Sequence, residues 1–229
     1  MKLGVVSGLK FEVEILRRVA MRKNLEPPLF ASAAGRQEKS YEAAKAHVEN
    51  GAEALISFGI AGGLTDDVPV GTLVLADEVY CGKGSLYKTD VKWRDALSGL
   101  LAPEVTPVTG PVISLTYALE TEVQKRGANK QTGALGVDME SFGVARAAKE
   151  MGVPFLVIRS VSDGAADLLP SCIVPAMAPD GGISMGPILK GIAGKPGDLP
   201  HLIGFGLKTR KASATLRRVC FLGLPFFGL

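Results

Sequence analysis

Histidine is almost missing from this chain. Only His47 and His201 are present, in no metal or triad pattern, which argues against histidine-based catalysis. The three cysteines, Cys81, Cys172 and Cys220, have neither disulfide nor metal spacing, as in a reducing compartment, and no bound metal is expected. No stretch is apolar for long enough to cross a bilayer. Basic runs are short and the net charge is only +3, too weak a footprint for nucleic acid. The GxGxxG fingerprint with its following acid is absent, and no glycine turn leads into GK[ST], so dinucleotide and P-loop sites are disfavoured. The N-terminal stretch reads as a strand and a charged helix rather than a signal peptide, and the expected location is cytoplasmic.

What is present points to a folded α/β chain. Hydrophobic residues make up 47% and charged residues 21% of 229, enough for a sizeable core. The length suits a single domain over residues 1–229, with 170–229 as a Pro/Gly-rich and helical extension. Apolar runs at 3–7, 29–34, 53–58, 70–80, 105–114 and 134–137 read as strands. Amphipathic stretches at 9–23, 37–50, 91–101, 115–126 and 141–151 read as helices, and 127–132 as a loop. Prolines and glycines break 168–186 into an ordered loop, while 183–192 and 195–218 read as helical. The uncharged tail VCFLGLPFFGL, residues 219–229, is too short and glycine-interrupted for a good interfacial helix, so it is expected to pack on the core or a partner subunit.

The most informative stretch is VPFLVIRSVSDG, residues 153–164. A continuous apolar run reads as a buried strand of a parallel sheet, yet it ends in Arg159, Ser162 and Asp163. Charge at the edge of a core is costly unless something uses it, and ligands sit beyond the carboxyl ends of strands in open α/β sheets. Asp163 is the expected acid. Glu12 follows the first strand, where pattern alone favours helix-dipole complementation over a site role. Glu140 sits at another strand-to-helix junction. Gly59 to Leu64, GIAGGL, reads as a turn that either needs positive φ or presents backbone N–H groups to a ligand. Right-handed crossovers would bring these strand ends side by side. Their convergence is more telling than any one of them.

At these residues the chain resembles the nucleoside phosphorylase and nucleosidase superfamily. The matching stretches are GVVSGLKFEVEIL, ISFGIAGGL, VGTLVLADEV, GVDMESFGVA and PFLVIRSVSDGA, in the family's order and spacing over roughly residues 1–167. A finer similarity, to the hopanoid-associated phosphorylases, runs to about Arg218. The resemblance implies a three-layer α/β/α sandwich around a mixed sheet, assembled as a homodimer or higher homo-oligomer. It implies cleavage of the N-glycosidic bond of an adenine nucleoside, in the hopanoid branch adenosylhopane, giving adenine and a ribosyl- or phosphoribosyl-hopane. No cofactor is implied, though inorganic phosphate is a candidate co-substrate. Membrane contact is expected only through the C-terminal tail.

The resemblance also implies roles. Asp163 would protonate adenine at N7, with Ser162 positioning its carboxylate and Ala61 supporting the site. Glu140 would accept hydrogen bonds from the ribose hydroxyls, with Met139 packed on the sugar. Glu12 would activate water. Arg159, Gly8 and Gly62 would serve a phosphate nucleophile, although an ion pair from Arg159 to Glu12 or Glu140 is an equal alternative. Ile60 stands where related enzymes often carry a serine or threonine for the nucleophile, and Glu12 would repel phosphate. Both departures tip the balance towards water or an atypical phosphorolysis. Methylthioadenosine or adenosylhomocysteine, a general purine nucleoside, and nucleoside binding without catalysis are the alternatives.

Overall fold

The computed structural model describes residues 1–82, 84–224 and 227. Its strands are β1 (Leu3–Ser7), β2 (Leu29–Ser32), β3 (Ala54–Gly63), β4 (Leu73–Cys81), β5 (Leu86–Lys88), β6 (Val108–Ser114), β7 (Gly136–Asp138) and β8 (Phe155–Asp163). Its helices are α1 (Lys10–Arg22), α2 (Gln37–Glu49), α3 (Val91–Leu101), α4 (Glu122–Thr132), α5 (Ser141–Met151), α6 (Ile173–Ala176), α7 (Met185–Gly194) and α8 (Leu199–Gly223).

The sheet is mixed, and part of it closes on itself. β1 lies parallel between β2 and β3, and β3 is parallel to β8. β4 runs antiparallel to β8, and β6 and β7 follow β4 in parallel. β7 then returns antiparallel to the end of β3, so β3, β8, β4, β6 and β7 form a ring. Side chains alternate faces along each strand. Ile56 and Phe58 of β3 and Leu156 and Ile158 of β8 meet α1, α3 and α8 through Leu16, Leu97 and Leu216. Leu55 and Val157 point the other way, towards Ala44 of α2 and Val144 and Ala148 of α5. Two helical layers thus sandwich the sheet, as the three-layer expectation had it.

Several local expectations are corrected. The glycine run does not turn: β3 continues through Gly63, and Gly59, Gly62 and Gly63 do not have positive φ. Glycine is needed there for space. A Cβ on Gly59 would lie 2.5 Å from Glu12 Oε1 and 2.7 Å from an Arg159 nitrogen. Residues 115–121 are not helical, whereas 122–132 are. Thr121 caps α4 by accepting from the Gln124 amide, and Gly133 ends it in the left-handed conformation; the interior Gly127 is tolerated at about 1 kcal/mol. Finally, β7 follows β6 through the parallel crossover of α4 but pairs antiparallel with the end of β3, so it is closure of the ring that brings Glu140 beside the β3 end. In the tail, Val219, Cys220, Leu224 and Phe227 belong to the core. Phe221 is exposed, while Pro225, Phe226, Gly228 and Leu229 lie outside the described residues.

The outer layer of α2 and α5 depends on one close approach. A Cβ at Gly143 of α5 would sit 2.8 Å from the Tyr41 backbone nitrogen and 2.8 Å from Ser40 Cβ. Alanine gains up to about 1 kcal/mol of helix propensity over glycine, but forced overpacking costs about 1–3 kcal/mol. Gly143→Ala is expected to lower the urea midpoint on balance. A midpoint at or above that of the unmutated protein would mean that the two helices separate freely.

Candidate active site

A cavity of about 510 Å³ opens at the ends of β1, β3 and β8. Gly8, Glu12, Ala61, Gly62, Met139, Glu140, Ser162 and Asp163 all line it. Of the nine sequence candidates, only Arg159 is not on its wall. Its outer part is walled by apolar residues of α6, α7 and α8, among them Ile173, Met185, Ile188, Leu202 and Phe205. Tyr117 and Ala118, to which the sequence assigned no role, line it as well.

Arg159 lies beneath the floor, with no exposed surface. Its Nε donates to Asp138 Oδ2 at 2.7 Å. One terminal nitrogen, Nη2, donates to Ser57 Oγ at 2.7 Å and Ser141 Oγ at 3.0 Å, and stands 3.6 Å from Glu140 Oε2. Nη1 points towards Gly59 and the Glu12 side, without a hydrogen-bond acceptor. Asp138 in turn starts α5: its Oδ1 accepts from the backbone N–H groups of Glu140 and Ser141 at 3.1 and 3.0 Å, and the Ser141 hydroxyl donates to its Oδ2. The β7–α5 junction is thereby tied to β8 through a single guanidinium.

Glu12 sits in the first turn of α1, where it accepts from the N-cap Leu9 N–H, in keeping with the helix-terminal role that pattern favoured. It is also buried and lines the cavity. Its carboxylate accepts from the Ile60 N–H at Oε1 and from the Leu9 N–H at Oε2, each at 2.8 Å. One cation thus faces three buried carboxyls, and their proton affinities separate. Burial opposes ionisation of Asp138, but the Arg159 charge and the Ser141 hydroxyl outweigh it and hold this carboxyl below its ordinary range. Burial raises Glu12, only partly offset by Arg159 and by N–H donors from Leu9, Ile60 and Gly8. Burial, with Asp138 and Glu12 nearby, pushes Glu140 up to about 8 against the pull of Arg159. Burial weighs against the charge on Arg159, yet Asp138, Glu140 and Glu12 together keep its proton more firmly held than usual.

On the other side of the cavity Asp163 is held at both oxygens. The Ser162 hydroxyl donates to Oδ1 at 2.7 Å and the Lys125 ammonium to Oδ2 at 2.5 Å. Lys125 also donates to the backbone carbonyls of Gly164 and Asp167, at 3.0 and 2.9 Å. It has no exposed surface, and three acceptors match its three N–H donors.

Lys125 and Asp138 are the functional-site residues that sequence reasoning missed. Asp138 was in view within VDMES but was overshadowed by Glu140; an acid two residues before a helix start is an available capping signal. Lys125 sits in the polar run ETEVQKRGANKQ, where nothing distinguishes a buried lysine from its solvated neighbours. Removing one partner of a buried ion pair costs about 3–5 kcal/mol, because the other charge is left uncompensated. Lys125→Met is expected to lose stability on that scale, and Lys125→Met/Asp163→Asn to regain a substantial part. Urea unfolding of the two variants checks this; a Lys125→Met protein as stable as the unmutated one contradicts the pairing.

The comparisons with known proteins agree with this architecture. Futalosine hydrolase of Streptomyces coelicolor (strain ATCC BAA-471 / A3(2) / M145) is 34% identical over 128 residues, covering 48% of this chain and 53% of that protein. The matched part is thus about half the length of this curated relative. Among solved structures, 5′-methylthioadenosine/S-adenosylhomocysteine nucleosidase from Neisseria meningitidis in complex with methylthio-immucillin-A superposes with a TM-score of 0.70 at 17% identity, covering 96% of this chain and 97% of that one. Native futalosine hydrolase of Helicobacter pylori strain 26695 gives 0.69 at 13% identity, with the same coverage of 96% and 97%. At such identities these two structures establish the shared fold. The family profile described as Phosphorylase superfamily matches residues 35–171, more than half the sequence, and the chain belongs to that superfamily.

Proposed function

We propose that this protein cleaves the N-glycosidic bond of an adenine nucleoside with water as the nucleophile, and that the nucleoside is lipid-linked, adenosylhopane being the substrate that the sequence resemblance implies. The observation that carries this reading is one cavity that holds Glu12, Glu140 and Asp163 at its floor and an apolar wall from α6, α7 and α8 at its outer part. A binding protein has no need of three carboxylates around one ligand.

Adenine is a poor leaving group as an anion, so N7 must be protonated as the bond breaks. Asp163, ion-paired with Lys125 in the ligand-free protein, first takes up a proton with the nucleoside bound and then gives it to N7. The carboxylate left behind faces Lys125 at 2.5 Å, and this balancing charge lowers the cost of the transfer. Ser162 fixes the other oxygen and hence the direction of the proton. Glu140 takes the ribose hydroxyls, and Met139 packs beside the sugar. The ribosyl group develops positive charge in the transition state, and the carboxyls near it favour that charge. Glu12 takes a proton from the attacking water. Its raised proton affinity suits a general base working near neutral pH.

Two features favour water over phosphate. Arg159 does not line the cavity, and its Nε and Nη2 are spent on Asp138, Ser57 and Ser141, so its role here is structural rather than phosphate-binding. Leu9 and Ile60 lend their N–H groups to Glu12, and the Ile60 side chain offers phosphate nothing. The names of the relatives, hydrolase and nucleosidase, point the same way, and they also support a second reading in which a small soluble nucleoside is the substrate.

The test is adenine release from adenosylhopane and from methylthioadenosine, each with and without phosphate. Release without phosphate is expected, faster from adenosylhopane, and Asp163→Asn should lower it by about 10²–10⁴-fold. Unchanged release by Asp163→Asn on every substrate would remove Asp163 as the acid. Strict dependence on phosphate would overturn water as the nucleophile, and cleavage of methylthioadenosine alone would overturn the lipid-linked substrate.

A further inference from the structure

The helices that wall the outer cavity are apolar on their outward side as well. In α8, Leu202 and Phe205 face the cavity, while Leu199, Ile203 and Leu207 are 41%, 57% and 61% exposed. These three follow one another at i, i+4 and i+8, one stripe along a helix. On the preceding helix α7, Leu189 is 60% exposed and does not line the cavity, while Met185, one turn earlier, is exposed at the cavity's rim. Single exposed apolar residues are ordinary, but a run of them on consecutive helices marks a contact surface.

The surroundings of this stripe are basic. Lys190, Lys195 and Arg210 have no ion-pair partner among the described residues. Beside Arg210 opens a groove of about 690 Å³ between α1 and α8, lined by Arg18, Arg22, Arg210 and Arg217, with Glu14 as its acid. Groove and cavity share Phe11, Gly206 and Thr209, so the basic surface lies at the cavity's own edge.

We infer that the outer face of α7 and the first turns of α8 dock on an anionic lipid bilayer, with the α1–α8 groove taking lipid phosphates. Apolar side chains flanked by Lys and Arg are the signature of a helix lying in the interface plane. A second copy of the chain is the poorer occupant. A two-fold contact lays the patch on itself, which would set these cations against the same cations. Among the described residues no helix is long and apolar enough to cross a membrane, so the contact is with the surface. As a route by which a lipid-linked nucleoside reaches the cavity, this surface rests on the function proposed above; as a bilayer contact it stands on the helix face and the groove.

Sedimentation of the full chain with vesicles tests it, using phosphatidylcholine alone and phosphatidylcholine mixed with phosphatidylglycerol. Binding to the mixed vesicles only is expected, weakened by salt. Ile203→Ser/Leu207→Ser should reduce it by about tenfold or more, and Arg22→Gln/Arg210→Gln should weaken it while flattening its salt dependence. Neither Ile203 nor Leu207 lines the cavity, so release of adenine from a soluble nucleoside by the first variant should not change. No binding to mixed vesicles, or equal binding by the serine variant, overturns the proposal. So does a dimer that the serine variant dissociates while the unmutated protein ignores vesicles. Vesicle binding without cleavage of any nucleoside supports the docking surface and overturns the function; cleavage without vesicle binding does the reverse.

Discussion

A guanidinium with no exposed surface, placed among three carboxyls, sets the terms for everything around it. Burial of the Arg159 charge is offset by Asp138, Glu140 and Glu12, and Arg159 in turn holds Asp138 below its ordinary range against its own burial. The pair reaches from β8 to the β7–α5 junction, so it holds the site together mechanically as well as electrically. Other features of the sequence follow from accommodating it. Gly59 leaves the space that the Arg159 and Glu12 side chains occupy. Ser57 and Ser141 absorb donors that would otherwise be stranded. Burial raises the proton affinity of Glu12 and Glu140, and the one positive charge of Arg159 offsets this only in part.

That inequality gives similar side chains different chemistry. Asp138 is fixed as an anion and serves structure. Glu12, whose proton affinity burial raises, is suited to accept a proton from water. Asp163, on the far side of the cavity, has its own cation in Lys125. The outer wall is built from different material, the segment 168–206, and carries almost no polar groups into the cavity. The lipid-linked nucleoside proposed above rests on this pairing of a polar floor with an apolar wall.

The parts of this arrangement that were legible in the sequence are those where a local pattern breaks. Asp163, Glu140 and Glu12 could be found because charge sits where an apolar strand ends. The α/β/α layering could be read from alternating strand and helix signals and from the family resemblance. What could not be read depended on partners distant in sequence. Lys125 looks like any lysine of a polar helix until Asp163, 38 residues on, is folded against it. Arg159 was visible, but its main partner was not, because pairing with Asp138 needs β7 to arrive antiparallel to β3. The glycines of β3 were mistaken for a turn, since a glycine required by a neighbouring side chain leaves the same local trace as one required by positive φ.

The central claim is that Arg159 and burial divide the site's carboxyls into one whose proton affinity is lowered and two whose proton affinity is raised. Carboxyl titration by ¹³C NMR in the ligand-free protein, with Glu140 assigned through Glu140→Gln, measures this directly. The account predicts a Glu140 midpoint near its raised value of about 8, a Glu12 midpoint above the ordinary glutamate value, and an Asp138 that stays ionised to unusually low pH. The linked stability has a definite sign. The folded protein keeps the Glu140 proton that the unfolded chain releases near 4.5, so this residue's contribution declines as pH rises from about 4.5 to about 8, and Glu140→Gln removes that decline. Glutamate midpoints at their ordinary values, with no loss of that pH dependence in Glu140→Gln, would contradict the account.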